Sequence, residues 1–205
     1  MYEIDLTLPK TIVADVLSRH AIDSVAFVGC GASMSELYPA KYFLANNTKT
    51  LNVQLFTSNE FNYDTPAWVG PNTFVVTCSL GGSTPETVAA NKTAKALSAP
   101  VTAITHVAGS PLAEGVDHVV IHGFEENYAA KVEKMGYALA LAVELLQQLE
   151  GSDLYNDMIG GLGKIFELSE DAAEHAGRAA HQFAQDYKNE RGIYVLGSGA
   201  RVHSA

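Results

Sequence analysis

The sequence has few cysteines, few basic residues and no long apolar run, and each shortage excludes a class of protein. Its 205 residues include two cysteines, Cys30 and Cys78, each at the end of a predicted buried strand. This apolar context predicts small core residues rather than a disulfide or a metal pair. The 13 Lys and Arg against 23 Asp and Glu leave a net charge of −10. This charge disfavours nucleic acid and anionic membranes as partners.

Signals for export, membrane insertion and metal binding are missing as well. Residues 1–5 carry neither a basic region nor a long apolar core, so we expect no signal peptide. No uninterrupted apolar run approaches the length of a membrane span, and the cytoplasm is the expected location. The seven histidines show no convincing metal-ligand spacing. His118 and His122 are four residues apart, but their segment is predicted to be a strand, which would put them on one face and far from each other. We therefore expect no metal and no other cofactor.

Short apolar strands alternate with helical segments over the first 150 residues. The stretch 24–33 is a short apolar strand that ends in glycines, and further strands are predicted near residues 49–57, 73–79, 101–105 and 118–121. A long apolar helix over 128–150 and a more polar helix over 164–188 follow. This alternation predicts an α/β fold, a three-layer doubly wound sandwich with a mainly parallel five-stranded sheet. In such a sheet the ligand binds at the carboxyl ends of the strands.

The domain organisation follows from the same pattern. An N-terminal helix is expected in 1–20, a first domain in 21–150 and connector helices in 151–190. Residues 191–205 repeat the form of the first strand and its turn, since Gly197-Ser198-Gly199-Ala200 corresponds position for position to Gly29-Cys30-Gly31-Ala32. We therefore expect 191–205 to be the first strand and turn of a second, truncated copy of the domain.

Two predicted strands end in polar, glycine-rich turns that lead into helices. The first turn is Gly29-Cys30-Gly31-Ala32-Ser33 and the second is Ser79-Leu80-Gly81-Gly82-Ser83-Thr84. Because backbone N–H groups at a helix start favour an anion, the pair predicts a phosphate group held between the turns. A plainer interpretation stays open, since Ser33 and Ser83 each precede a glutamate (Glu36 and Glu86) at capping-box spacing.

These motifs resemble the sugar isomerase (SIS) family. Its members carry a Gly-x-Gly-x-Ser turn, here 29–33, and a turn like Ser-x-Ser-Gly-x-Thr-x-(Asp/Glu)-Thr, here 79–87. The segment 110–120 is also similar, so the resemblance covers about residues 21–125. Within the family the sequence is most similar to deglycases of phosphorylated fructosyl-amines, the fructoselysine and fructose-asparagine 6-phosphate type. The isomerase half of glutamine–fructose-6-phosphate transaminase is next.

The resemblance implies a flavodoxin-like, SIS-type fold and a sugar-phosphate site. Ser33, Ser79 and Thr84 are expected to bind the phosphate together with backbone N–H groups around residues 81–84. The full expected set is Gly31, Ala32, Ser33, Ser79, Gly81, Gly82, Ser83 and Thr84. Gly81 departs from the family, which usually has serine there. Glu60 could orient a sugar hydroxyl or could be a solvated loop carboxylate.

The resemblance also implies an activity for the full-length protein. It would cleave a 6-phospho-fructosyl-amine to glucose 6-phosphate and an amine. In these relatives the general-base glutamate and the ring-handling histidine belong to the second SIS domain. We therefore place no catalytic residue in this chain, which is expected to be inactive alone. A homodimer or higher homo-oligomer is expected, with the apolar face of the helix over 128–150 as the contact surface.

Other functions stay open beside this one. An aldose–ketose isomerase or aminotransferase half would use the same phosphate site. Gly29-x-Gly31 is half of a dinucleotide fingerprint, but Met34 stands where the third glycine belongs and Glu60 comes late for a ribose contact. A non-catalytic phosphosugar sensor is a further alternative, although the sequence has no basic face that would bind DNA.

Overall fold

A computed structural model of the chain, which describes residues 4–123 and 127–194, shows a single five-stranded parallel sheet. The strands are β1 (Ser24–Gly29), β2 (Asn52–Thr57), β3 (Thr73–Cys78), β4 (Val101–Thr105) and β5 (His118–Ile121). Their order is β2-β1-β3-β4-β5, so the chain leaves β1 toward one edge and later returns to build toward the other. The fold class predicted from the sequence, a doubly wound α/β sandwich, is confirmed.

Helices cover both faces of the sheet. They are α1 (Thr7–Arg19), α2 (Ala32–Asn47), α3 (Ser58–Tyr63), α4 (Pro85–Ala96), α5 (Asn127–Glu150), α6 (Tyr155–Leu162) and α7 (Ile165–Tyr187). One core cluster joins α1, α2 and α5 to the sheet, and a second joins α3 and α4 to the opposite face. Every residue of β1, β3 and β4 is buried, which explains why these strands are continuous apolar runs rather than alternating ones.

Two local features determine where α2 and α3 run. Pro39 lies inside α2, which runs through it without a break. Packing of Leu37, Ala40 and Leu44 against the core outweighs the lost hydrogen bond at the proline. Residues 58–63 form the short helix α3 before the polar loop, because Thr57 and Glu60 make a reciprocal capping box.

The apolar face of α5 belongs to the core of the chain. Leu145 is 1% exposed and packs in the cluster that α1 and α2 share with α5. The prediction that this face forms a subunit contact is therefore wrong. Leu145→Lys should therefore destabilise the domain, because it would bury a charge in the core.

The C-terminal part is only partly described. The polar helix predicted over 164–188 is present as α7, and none of its residues is buried. The repeat of the opening turn at 197–200 lies outside the described residues, so the domain division stays a prediction. Among the helices that the structure describes, none could span a membrane.

Candidate anion-binding site

The two glycine-rich turns lie side by side. Gly29 at the end of β1 pairs with Cys78 at the end of β3, so both turns leave the same edge of the sheet from neighbouring strands. This point, where the strand order reverses, is where doubly wound folds bind their ligands. A Cβ on Gly29 would lie 2.9 Å from the backbone N of Met34, so α2 begins directly against the end of β1.

The second turn is closed by its own side chains. The hydroxyls of Ser79 and Thr84 are 2.9 Å apart and hydrogen-bonded. The N–H of Gly82 donates to the carbonyl of Ser79 at 3.2 Å. Thr84 is the N-cap of α4, and Pro85 takes the first helical position, where its missing N–H costs nothing.

The segment that follows β4 braces this turn from behind. The carbonyl of Leu80 accepts hydrogen bonds from the N–H of His106 at 2.9 Å and the Thr105 hydroxyl at 3.1 Å. The carbonyl of Gly82 accepts from the N–H of Leu112 at 2.9 Å. Ser110 packs against Gly82 with its hydroxyl buried. Hydrogen bonds to the carbonyl groups of Leu80 and Gly82 therefore hold the turn in place.

The N–H groups of the same turns have no such partners. Among the described residues, no acceptor pairs with the backbone N–H of Gly81, Ser83 or Thr84, nor with that of Ala32 or Met34 at the start of α2. The carbonyl groups of the second turn are hydrogen-bonded within the protein, whereas these N–H groups are not. This edge of the sheet is therefore rich in hydrogen-bond donors. Such an arrangement favours an anion.

The capping interpretation of the two serines is wrong. The N-cap of α2 is Gly31, whose φ of 53° suits glycine, and Ser33 lies inside the helix. Ser83 precedes the N-cap Thr84, because Pro85 fixes the first position of α4. Neither hydroxyl caps a helix, and the Ser33 side chain instead hydrogen-bonds the Cys78 thiol at the end of β3.

Glu60 has a structural partner. Its carboxylate accepts the N–H of Thr57 at 2.9 Å and the Thr57 hydroxyl at 2.8 Å, and these bonds lower its pKa. The carboxylate thus caps α3. A contact between Glu60 and a sugar stays a prediction and would need this capping box to open.

A buried ion pair joins α2 to α5, and spacing within one helix does not predict it. The Nζ of Lys134 on α5 lies 2.5 Å from Oε2 of Glu36 on α2, and the two side chains are 4% and 7% exposed. One sequence signal could have found it, because Lys134 falls on the helical stripe that Ala138, Leu141 and Leu145 continue into the core. Burial raises the pKa of the nearby Cys78 thiol to about 12, which keeps that thiol neutral.

A second group of titratable side chains lies at the ends of β4 and β5. Burial lowers the pKa of His122 to about 4, so its ring is neutral at pH 7. Its ring centre is 5.8 Å from that of His106. Glu133 accepts the N–H of Gly123 at 2.9 Å, and burial raises the pKa of its carboxyl. No cluster of three or more His, Cys, Asp or Glu within the described ranges is arranged to hold a metal ion.

A cavity of about 690 Å³ lies elsewhere on the domain. Its lining includes Ser24, Trp68 and Asn72, which places it at the amino ends of β1 and β3. The glycine-rich turns are at the opposite edge of the sheet. The unpaired N–H groups therefore identify the candidate site better than cavity size does.

The chain is a doubly wound α/β domain whose candidate anion site lies at the strand-order switch. The chain belongs to the SIS domain family, whose sequence profile matches residues 20–146. It is 33% identical over 184 residues to fructosamine deglycase FrlB of Bacillus subtilis strain 168, covering 90% of this chain and 56% of that protein. It is 27% identical over 201 residues to the isomerizing glutamine–fructose-6-phosphate aminotransferase of Thermococcus kodakarensis, covering 94% and 33% of the two chains.

Solved structures are similar over nearly the whole chain. A protein of Salmonella typhimurium LT2 described as a phosphosugar isomerase superposes with a TM-score of 0.89 at 32% identity. That match covers 97% of this chain and 61% of the other. A Bacillus subtilis protein with the same description superposes with a TM-score of 0.84 at 30% identity. The chain thus spans 61% and 63% of these two solved chains, 56% of the deglycase and 33% of the aminotransferase.

Proposed function

We propose that this chain binds the phosphate group of a phosphorylated sugar between its two glycine-rich turns. The observation that carries the proposal is the set of unpaired N–H groups at the ends of β1 and β3. The hydroxyls of Ser33, Ser79 and Thr84 lie on the same two turns, and Gly81, Gly82 and Ser83 bring the backbone to the ligand. One relative described as a deglycase and two described as phosphosugar isomerases support a sugar as the rest of the ligand.

The proposed activity of the whole protein is cleavage of a 6-phospho-fructosyl-amine. Loss of a proton from C1 gives an enaminol, and protonation at C2 gives the imine at C1. Water then adds to the imine and releases the amine, which leaves glucose 6-phosphate. The 33% identity to fructosamine deglycase FrlB supports this reaction. In this proposal the chain anchors the phosphate, and the groups that move these protons are not assigned to it.

Aldose–ketose isomerisation or amino transfer is the second candidate. Both begin from a phosphosugar and an enediol-type intermediate, so they need the same anchor. The similarity to the aminotransferase of Thermococcus kodakarensis favours keeping this candidate. A phosphosugar sensor would use the anchor without chemistry, so binding and turnover must be measured separately.

Thermal unfolding and calorimetry in a phosphate-free buffer test the anchor. The ligands are fructose 6-phosphate, glucose 6-phosphate, a 6-phospho-fructosyl-amine, unphosphorylated fructose and NAD. A ligand that binds only the folded state raises the melting temperature by mass action. We expect shifts with the phosphosugars and none with fructose or NAD.

Two serine variants make a matched pair for this test. Ser79→Ala removes a hydroxyl at the candidate site, and we expect it to lose the phosphosugar shift. Ser24→Ala removes a buried hydroxyl at the other end of the sheet, where it bonds Asp23 at 2.7 Å, and should keep the shift. A shift with NAD alone, or equal shifts in both variants, would contradict the proposal.

A further inference from the structure

The ion pair between Lys134 and Glu36 is an expensive feature to place in a core. Both side chains are almost fully buried, and the Nζ–Oε2 distance is 2.5 Å. Removing two charges from water costs more than their attraction commonly returns, so apolar residues of similar size would be at least as stable. Stability therefore does not explain why the chain carries a buried lysine here.

Glu36 places the pair on α2, the helix that begins at the first glycine-rich turn. Glu36 follows Ser33 by three residues, so both lie on one face of the first turns of α2. The charges of Lys134 and Glu36 both act on the Cys78 thiol, and Cys78 is the residue before Ser79. The ion pair is therefore near the end of β3, and Glu36 places it on the helix that begins at the first glycine-rich turn.

We propose that Lys134 is the buried cation of the sugar-phosphate site and that Glu36 is its counter-ion when the site is empty. The inference rests on the proposed phosphate binding. An ammonium group has three N–H donors, and Glu36 is its one ion-pair partner in the described part of the chain. A phosphate dianion entering between the turns would share this charge with Glu36. It would gain an attraction that an unphosphorylated sugar lacks.

The charge balance of the chain makes such a cation useful. A net charge of −10 repels phosphate at long range. The N–H groups of the turns carry only partial charges. One buried ammonium supplies a full positive charge in a medium of low dielectric constant, where its effect is largest.

Opposite responses of two single variants test this role. Lys134→Met removes the cation and should weaken fructose 6-phosphate binding about tenfold to a hundredfold, the effect of one hydrogen bond to a charged group. Glu36→Gln removes the competing anion, so binding should be as tight as in the wild type or tighter. Titration calorimetry measures both, with Lys95→Met as control, because Lys95 pairs with Asp117 at the amino end of β4.

The outcomes separate a binding role from a structural one. If the pair merely clamps α2 to α5, both variants weaken binding alike, and the inference is wrong. It is also wrong if Lys134→Met binds like the wild type, while the proposed function stands. If the wild-type chain binds no phosphosugar, the proposed function fails first.

A double variant and an NMR measurement test the inference even if a single variant fails to fold. The double variant Glu36→Gln with Lys134→Met carries no buried charge and should fold, but it should still bind weakly. In the wild type, the NMR signal of the Lys134 ammonium should move when fructose 6-phosphate is added, while that of Lys95 stays. A Lys134 signal that does not move under saturating ligand refutes the inference without any variant.

Discussion

Gly82 is the position where a single methyl group should do most damage to the candidate site. Its φ is +64°, in the left-handed region that only glycine adopts freely. A Cβ there would lie 2.1 Å from Oγ and 2.4 Å from Cβ of Ser110, and 2.8 Å from Oγ1 of Thr105. Gly82→Ala must therefore strain the backbone and push the segment after β4 away from the turn.

The size of the effect follows from two terms. A residue with a Cβ in the left-handed region costs about 1–2 kcal/mol. Forcing extra volume into a packed interior costs about 1–3 kcal/mol. The sum of about 2–5 kcal/mol should lower the melting temperature by about 4–20 °C for a chain of this length.

Gly81→Ala is the matched control for this substitution. A Cβ on Gly81 meets only the Ser83 hydroxyl at 3.8 Å, and its φ is not positive. The change should stay within about 0.5 kcal/mol. Calorimetric unfolding compares the two variants, and phosphosugar titration should show binding lost in Gly82→Ala alone.

A double variant separates the effect of the steric overlap with Ser110 from the effect of the backbone strain at position 82. Ser110→Gly removes both Ser110 atoms that the new Cβ would strike. Combined with Gly82→Ala it should recover about 1–3 kcal/mol relative to the sum of the single effects. Equal stability of Gly82→Ala and Gly81→Ala would refute the reasoning, because it would mean that the turn is not braced by the segment after β4.

Three further predictions concern the surroundings of the site. Thr57→Ala breaks the capping box with Glu60 and should cost about 1 kcal/mol in urea unfolding, with phosphosugar affinity unchanged; a loss of affinity would instead support a sugar contact for Glu60. Cys78 should resist iodoacetamide at pH 8, because its thiol is buried and has a pKa of about 12. Mass spectrometry should therefore find the label only on the half-buried Cys30 in the folded protein, and on both cysteines after denaturation. The pKa of His122 is about 4 in the folded state, below its ordinary 6.5, so the folded state binds fewer protons than the unfolded state. The free energy of unfolding should therefore fall as the pH drops from 6.5 to about 4. Urea unfolding of His122→Gln should show a smaller fall in stability over that range, and an equal fall in both proteins would contradict the lowered pKa of His122.

The sheet and the two turns were predictable because their signals are local. A run of buried residues ending in glycine marks a central parallel strand, and β1, β3 and β4 have that form. The exact helix starts were not predictable from spacing. Ser33 and Ser83 both match a capping box, yet Gly31 and Thr84 cap the helices, because a positive φ and a proline decide where each helix begins.

Features that depend on contacts between distant segments could not be predicted from the sequence. The broad apolar face of α5 is equally consistent with a core and with a subunit interface, and only the packing of α1 and α2 decides between them. The pairing of Glu36 with Lys134 joins residues almost a hundred positions apart. Spacing within one helix assigned Glu36 to a cap, which hid its partner.

The departure from the family at Gly81 bears on how the site holds its ligand. The family's usual serine would add a hydroxyl donor, and the structure leaves room for one, since a Cβ there has only ordinary contact with Ser83. The N–H groups of Gly81, Ser83 and Thr84 do not depend on side-chain identity, so their donors persist without that hydroxyl. What they do depend on is the shape of the turn, which Gly82, Thr105 and the carbonyl bonds of Leu80 maintain. A site built from backbone donors therefore tolerates the loss of a serine at 81 but not the gain of a methyl group at 82.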